Sequence, residues 1–434
     1  MRVFIKEFVL TGFCLLLSCH AHAVLRIEIT QGLSTAQPIA IVPFGWEEEE
    51  GLPLDVSEVI AADLVRSGRF KAFPREDMLE FPVDGNTINF KNWRVVGVDN
   101  VVVGKLIKTT TGYNIQFQLF DVYRGQQLLG YNIPVGERRL RRGAHQASDL
   151  IYEKLTGIQG AFTTRIAYIT AQRESDETAY SLYIADADGE NQQRIVRSPQ
   201  PLMSPVWSPD GRRLAYVSFE NQRSEIYVQE LFTGERKRVS GRPGINGAPA
   251  FSPDGEKLAL TLSSEEGNPD IYVMDLRSES LKRLTRNPAI DTEPFWAPDG
   301  ERIVFTSDRG GGPQIYEVSA TGGRAKRLTF EGSYNARPVF SPDGKLIAMV
   351  HQGRGGYHIA VLDLQTQALR VLTDGRLDES PSFSPNGTMI IYATEHQGRG
   401  VLAGVSVDGR VKQRLGLQQG DVREPTWSPR PDDR

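Results

Sequence analysis

The segment Pro-x-aromatic-Ser-Pro-Asp-Gly returns six times along this chain, and its spacing settles most of the architecture. It reads PVWSPDG from Pro205, PAFSPDG from Pro249, PFWAPDG from Pro294, PVFSPDG from Pro338, PSFSPNG from Pro381 and, decayed, PTWSPRP from Pro425. The prolines stand 44, 45, 44, 43 and 44 residues apart. A constant period of about 40–50 residues means one supersecondary unit repeated, and at this length the unit is a propeller blade.

Each repeat carries four strand-like pieces. In the unit from Pro249, PAF is a short inner strand and Ser-Pro-Asp-Gly a turn, in which Pro253 presets φ and Gly255 admits a positive φ. KLALTL, IYVMDL and LKRLT follow as second, third and fourth strands, the last an edge. The earliest second strand, RIAYIT at Ile166, has no inner strand before it, and the last inner strand, PTW at Pro425, has no second strand after it. Giving one to the other closes six blades into a ring whose edges are short and protected. The SPDG segment reads as a structural turn. A ligand site is expected on the opposite face, where the loops leading into the inner strands converge on the channel.

The first 23 residues are a separate element. Arg2 and Lys6 precede an apolar run from Phe8 to Leu17, too short to span a membrane, and Ala21-His22-Ala23 supplies a cleavage site. This reads as a secretory signal cleaved after Ala23. Leu16-Leu17-Ser18-Cys19 is a competing lipobox that would leave a lipidated Cys19. Both cysteines, Cys14 and Cys19, lie in this leader, so an exported mature chain would have no disulfide, which suits a bacterial periplasm. The net charge of −4 gives no sign of nucleic-acid binding.

Residues 24–160 lack the repeat. PIAIVPF from Pro38 is a buried strand, and Asp55 with Glu58 forms a capping box for a helix stopped at Ser67-Gly68. NVVVGKLI, YNIQFQLFDV and QQLLGYNI are strands; a second helix runs through Leu140, Ala144, Ala147, Ile151 and Leu155 to Gly157. The expected fold is mainly β, with a small α/β (α+β) domain over 24–160 and a six-bladed β-propeller over 161–434. Two charge runs read as solvated faces: Glu47 to Glu50, and Arg138, Arg139, Arg141 and Arg142, for which contact with an acidic partner is the other reading.

No common catalytic route is present. His145, His351, His358 and His396 form no metal-ligand spacing, no GxSxG elbow exists, and Gly310-Gly311-Gly312 opens no helix. His351 and His358 flank a Gly-rich surface loop. The residues preceding the inner-strand prolines should ring one mouth of the channel. They include Asp291 and Glu293, Asp378 and Glu379, and Asp421 and Glu424, with Arg337 interrupting them. An acidic mouth on three blades would be solvated charge, a dock for a basic segment, or a seat for a divalent cation such as calcium.

An α/β domain followed by six such blades resembles the TolB family, the periplasmic component of the Tol-Pal system. The resemblance covers the mature chain and rests on PIAIVPF, AADLVRSGRF, VVVGKL, SPQPLMSPVWSPDG and NGAPAFSPDG. Its most specific stretch runs from His145 to Ile169, which propeller packing does not demand. It implies a non-enzymatic periplasmic protein, monomeric by itself, that binds the lipoprotein Pal through the propeller and TolA through a mobile amino-terminal segment. Its implied roles are in outer-membrane integrity and constriction at division, and some bacteriocins exploit the same surface. Carried over, the TolA segment is Val24, Leu25, Arg26, Ile27, Glu28, Ile29 and Thr30, an edge strand that could add to a partner's sheet or pack on its own domain. The Pal surface would take in Asn246, Gly247, Ala248, Thr292 and Glu293. Ile245 and Arg337 depart from the family pattern. The alternative from another class is a hydrolase or glycan-binding propeller with substrate in the channel.

Overall fold

The computed structural model describes residues 26–31, 35–49, 51–174, 177–263, 267–416 and 420–431. The leader with Cys14, Cys19 and Ala23, and Val24 and Leu25 after it, lie outside the described residues. The first strand, β1 (Arg26–Gln31), belongs to the propeller. The amino-terminal sheet begins with β2 (Gln37–Ile41), which lies between and parallel to β3 (Phe70–Ala72) and β4 (Asn100–Thr109). Strands β5 (Gly112–Asp121) and β6 (Gln126–Gly136) extend it antiparallel. Its helices are α1 (Val56–Arg66), α2 (Phe90–Val95) and α3 (Leu140–Thr156). Ile60 and Leu64 of α1 and Ala144 and Ile151 of α3 share a core with Ile39, Ile41, Val102 and Phe117 of the sheet. Ala40, Val101 and Val103, on the opposite face, pack with Trp93 of α2.

Local signals act where the sequence puts them. The Asp55 carboxylate accepts a hydrogen bond from the Glu58 backbone N–H at 3.0 Å, an N-cap worth about 1 kcal/mol. Gly157 closes α3 at φ 72°, a left-handed conformation that glycine adopts without steric cost.

The propeller has six blades. Inner strands are Leu202–Trp207, Asn246–Phe251, Asp291–Trp296, Asn335–Phe340, Glu379–Phe383 and Asp421–Trp427. The last pairs with Arg165–Glu174, so the carboxy-terminal strand closes the first blade. Ala259, on the small face of its second strand, packs with Ile303 and Phe305 of the next blade. Leu258, Leu260 and Leu262, on the large face, pack with Ala215 and Val217 of the blade before. Small against large repeats around the ring and meets itself where Ile391 and Ala393 receive Ile166 and Tyr168. Second strands are therefore buried on both faces, which is why KLALTL is apolar at nearly every position rather than alternating with polar residues.

The SPDG turns are self-contained. Ser252 Oγ donates to Asp254 and accepts from the Lys257 N–H at 2.9 Å, while Asp254 accepts from the Glu256 N–H at 2.9 Å. Ser208 with Asp210, Ser341 with Asp343 and Ser384 with Asn386 repeat the pairing. Arg165 and Arg213, each at the start of a second strand, lie over Trp207 and Phe251 of the following blade at 5.0 and 5.3 Å from the ring centroids.

Strand β1 pairs antiparallel with the outer strand Lys412–Gly416, Arg26 opposite Gly416 and Ile29 opposite Gln413, giving the sixth blade a fifth strand. It lies on the propeller rather than on the sheet of the amino-terminal domain. An outer blade strand presents a free row of N–H and C=O groups, and an extended segment with unused backbone groups satisfies both by pairing there.

Candidate functional site

Every inner strand breaks register at its proline. Met203 opposes Val217 and Val206 opposes Ala215, so Ser204 and Pro205 together face Tyr216. The same two-for-one bulge recurs in the other five blades. Proline has no N–H to give a ladder, and a bulge is where a strand tolerates it. The residue before it takes a positive φ each time: Ser204 51°, Ala248 43°, Glu293 55°, Arg337 56°, Ser380 57° and Glu424 49°. For a residue with a Cβ this costs roughly 1–2 kcal/mol. Six such residues, none of them glycine, ring one throat, and strain of this kind concentrates at ligand clamps.

The throat is a cavity of about 440 Å³ walled by these residues, their prolines, Gly247, Thr292 and Asn246. Its polar groups are connected. The Glu424 carboxylate accepts from the Ser204 N–H at 2.6 Å and pairs with the Arg337 guanidinium at 2.7 Å, across two blades. The Glu293 carboxylate accepts from the Arg337 N–H at 2.9 Å and from the Thr306 hydroxyl at 2.8 Å. Burial works against the Arg337 charge, but Glu424 and Glu293 outweigh it and raise its pKa.

The mouth is therefore not an acidic ring. Asp291 is fully buried and holds Arg309 through both oxygens, at 2.8 and 2.7 Å. Asp378, also buried, accepts from Gly375 N–H and the Thr394 hydroxyl. Asp421 accepts from Gly400 N–H, and neither it nor Glu379 lines the cavity. Asp291 and Asp378 stand three residues before their prolines, where side chains anchor the incoming loop. Asn246 has the same position and fate, its amide taken up by Ser240, Arg242 and Gly244. Of the carboxylates a cation would have used, only Glu293 and Glu424 reach the throat, and Arg337 already supplies their countercharge. His351 and His358, paired across two strands and buried, stand apart from the cavity.

Sequence reading singled out Ile245 only as a departure from the family pattern and missed the rest of the rim. One residue further out, four before the proline, stand Ile245, Ile290 and Leu377, exposed at 46, 50 and 42 %. Their repeat position was the available signal. A mostly apolar cavity with a few connected polar groups, beside exposed apolar side chains, suits protein docking.

The second cluster joins the domains. His145 of α3 holds Asp63 of α1 at 2.7 Å and lies 3.5 Å from Asp188 of the first blade. Arg66 pairs with Asp63 at 2.8 Å, and Arg141 pairs with Asp188. Burial alone would lower the His145 pKa, but Asp63 and Asp188 raise it; burial would raise Asp188, but Arg66, His145 and Arg141 lower it. Asp63, His145 and Asp188 have the composition of a metal site, yet two guanidinium groups already balance the carboxylates. The arrangement is an ion-pair clasp.

A family model described as the TolB amino-terminal domain matches residues 25–128, and one described as the TolB beta propeller domain matches 152–431. The Tol-Pal system protein TolB of Thioalkalivibrio sulfidiphilus is 56% identical over 420 residues, 96% of either chain. The chain belongs to the TolB family. A second TolB relative, from Nitrosococcus oceani, is 55% identical over 94% of both chains. The crystal structure of TolB from Acinetobacter baumannii aligns with a TM-score of 0.87 at 44% identity, covering 94% of this chain and all of that one. Six blades behind a TolB amino-terminal domain are thus the family architecture as well as the reading of the repeat. No helix among the described residues is long and apolar enough to cross a membrane.

Proposed function

We propose that this TolB-family chain is a non-enzymatic periplasmic scaffold of the Tol-Pal system that binds Pal at the propeller mouth and TolA through Val24 to Thr30. Outer-membrane integrity and constriction at division are the processes it would serve. The observation that carries the proposal is the throat: six strained residues converge on one cavity, with exposed Ile245, Ile290 and Leu377 one repeat position further out. Gly247, Ala248, Thr292 and Glu293 would meet the partner directly. Asn246 would act by holding its loop, and Asp291 by fixing Arg309. Glu379, Arg337 and Glu424 would tune the charge of the mouth.

The same sheet offers a route for coupling. The sixth blade runs from its inner strand, Glu379–Phe383, at the mouth, out to β1 at the periphery. A partner that shifts the inner strand changes the edge on which β1 rests, and a partner that removes β1 acts back on the mouth by the same free energy. Deleting Val24 to Thr30 should abolish TolA binding while Pal binding persists, both measured by calorimetric titration. Loss of both together would remove the case for two sites.

A further inference from the structure

A large cleft of about 1080 Å³ lies between α3 and the first two blades, away from the throat. Arg138, Arg139 and Arg142, at the start of α3, form one wall; Arg165 and Arg212 of the propeller form the other. The cleft also contains two carboxylates, Asp186, which accepts from Asn191, and Glu230, 3.8 Å from Arg213. Among the described residues, Arg138, Arg139, Arg142 and Arg212 have no carboxylate at ion-pair distance, in contrast to Arg141 beside them.

The first turn of α3 does not offset this charge. Cations at a helix start oppose the helix dipole. The first turn of α3 has no acidic residue, and its cap, Arg139, provides no side-chain acceptor. Burial, reinforced by the Arg142 charge, holds Arg165 below its ordinary pKa even with Asp186 nearby. His145, 1 % exposed, also lines the cleft, its Nε2 held 3.5 Å from Asp188 in the clasp. Phe232 stands on the rim, 99 % exposed.

We propose that this cleft binds an extended acidic peptide segment of a partner protein, whose carboxylates are taken by Arg138, Arg139, Arg142, Arg165 and Arg212 while an apolar side chain rests on Phe232. Guanidinium groups suit this because their planar fork matches a carboxylate. A single small anion would not fill a space with charges on both walls. A flat bilayer surface would not reach the half-buried Arg165.

The test is fluorescence anisotropy of a short labelled peptide of Asp and Glu with one central Phe, added to the full mature chain. The expected result is saturable binding that weakens with salt and falls about tenfold or more in the double variant Arg139→Glu, Arg142→Glu. Arg212→Glu, from the opposite wall, should weaken it independently, which keeps the test valid should the helix variant unfold. The pair Arg277→Glu and Arg324→Glu, exposed elsewhere and equal in charge change, should leave it within about twofold. Absence of saturable binding, or equal loss in the control pair, overturns the proposal. So does stronger capture by phosphatidylglycerol vesicles, or full displacement by millimolar inorganic phosphate, since either would make the ligand a phosphate rather than a peptide.

Discussion

His145 should act as a charged clasp between the domains. Its Nδ1 lies 2.7 Å from Asp63 Oδ2, and both side chains are 2 % exposed. Replacing His145 by Ala removes one of two partners of a buried carboxylate, leaving Arg66 at 2.8 Å. A lost hydrogen bond to a charged group costs about 1.5–3 kcal/mol, and breaking a buried pair outright about 3–5. With Arg66 retained, the expected loss is about 3 kcal/mol at pH 6. The pH dependence is the sharper signature. The folded pKa is raised, so the stabilisation is complete below the unfolded value of about 6.5 and declines as pH rises through the folded one. Between those values stability should fall by up to about 1.4 kcal/mol per pH unit. His145→Gln keeps a donor but no charge, and should flatten that slope. Urea unfolding followed by tryptophan fluorescence from pH 6 to 8 reads both effects. A loss under about 1 kcal/mol for the Ala variant, or parallel pH profiles for wild type and the Gln variant, would refute the reasoning.

Three further outcomes follow from the throat and blades. Arg337→Met leaves Glu293 and Glu424 without their countercharge, and should cost about 2 kcal/mol at pH 7 in urea unfolding. Ser252→Ala removes the acceptor of the Lys257 N–H and should cost about 1–2 kcal/mol in the same assay. Ala248→Val places a β-branched side chain at φ 43° and should cost about 1–2 kcal/mol, whereas Ala248→Gly should be nearly neutral because relieved strain and added chain entropy oppose each other.

The ring and its closure were legible because a period near 44 residues leaves one architecture, and the unmatched RIAYIT and PTW could only complete each other. The helix ends at Ser67 and Gly157 were legible because caps and glycines act locally. The throat was legible as a place but not as a chemistry. Repeat register put Asp291 and Asp378 near the mouth, yet register alone does not say which neighbouring groups take up a side chain. Their burial with Arg309 and Thr394 follows from three-dimensional partners distant in sequence. The seat of β1 was open for the same reason, since alternating Ile27 and Ile29 specify an edge strand but not which edge. The specific stretch from His145 acquires a reason only when Asp63 and Asp188 come together around it.

The most direct measurement is calorimetric titration of the chain from Val24 with the soluble domain of Pal from the same organism. The account predicts saturable one-to-one binding that falls about tenfold or more in Thr292→Trp, whose side chain would enter the throat without changing its thermal unfolding. No binding by a well-folded sample, or unchanged affinity in that variant, would contradict the assignment of the propeller mouth as the Pal site.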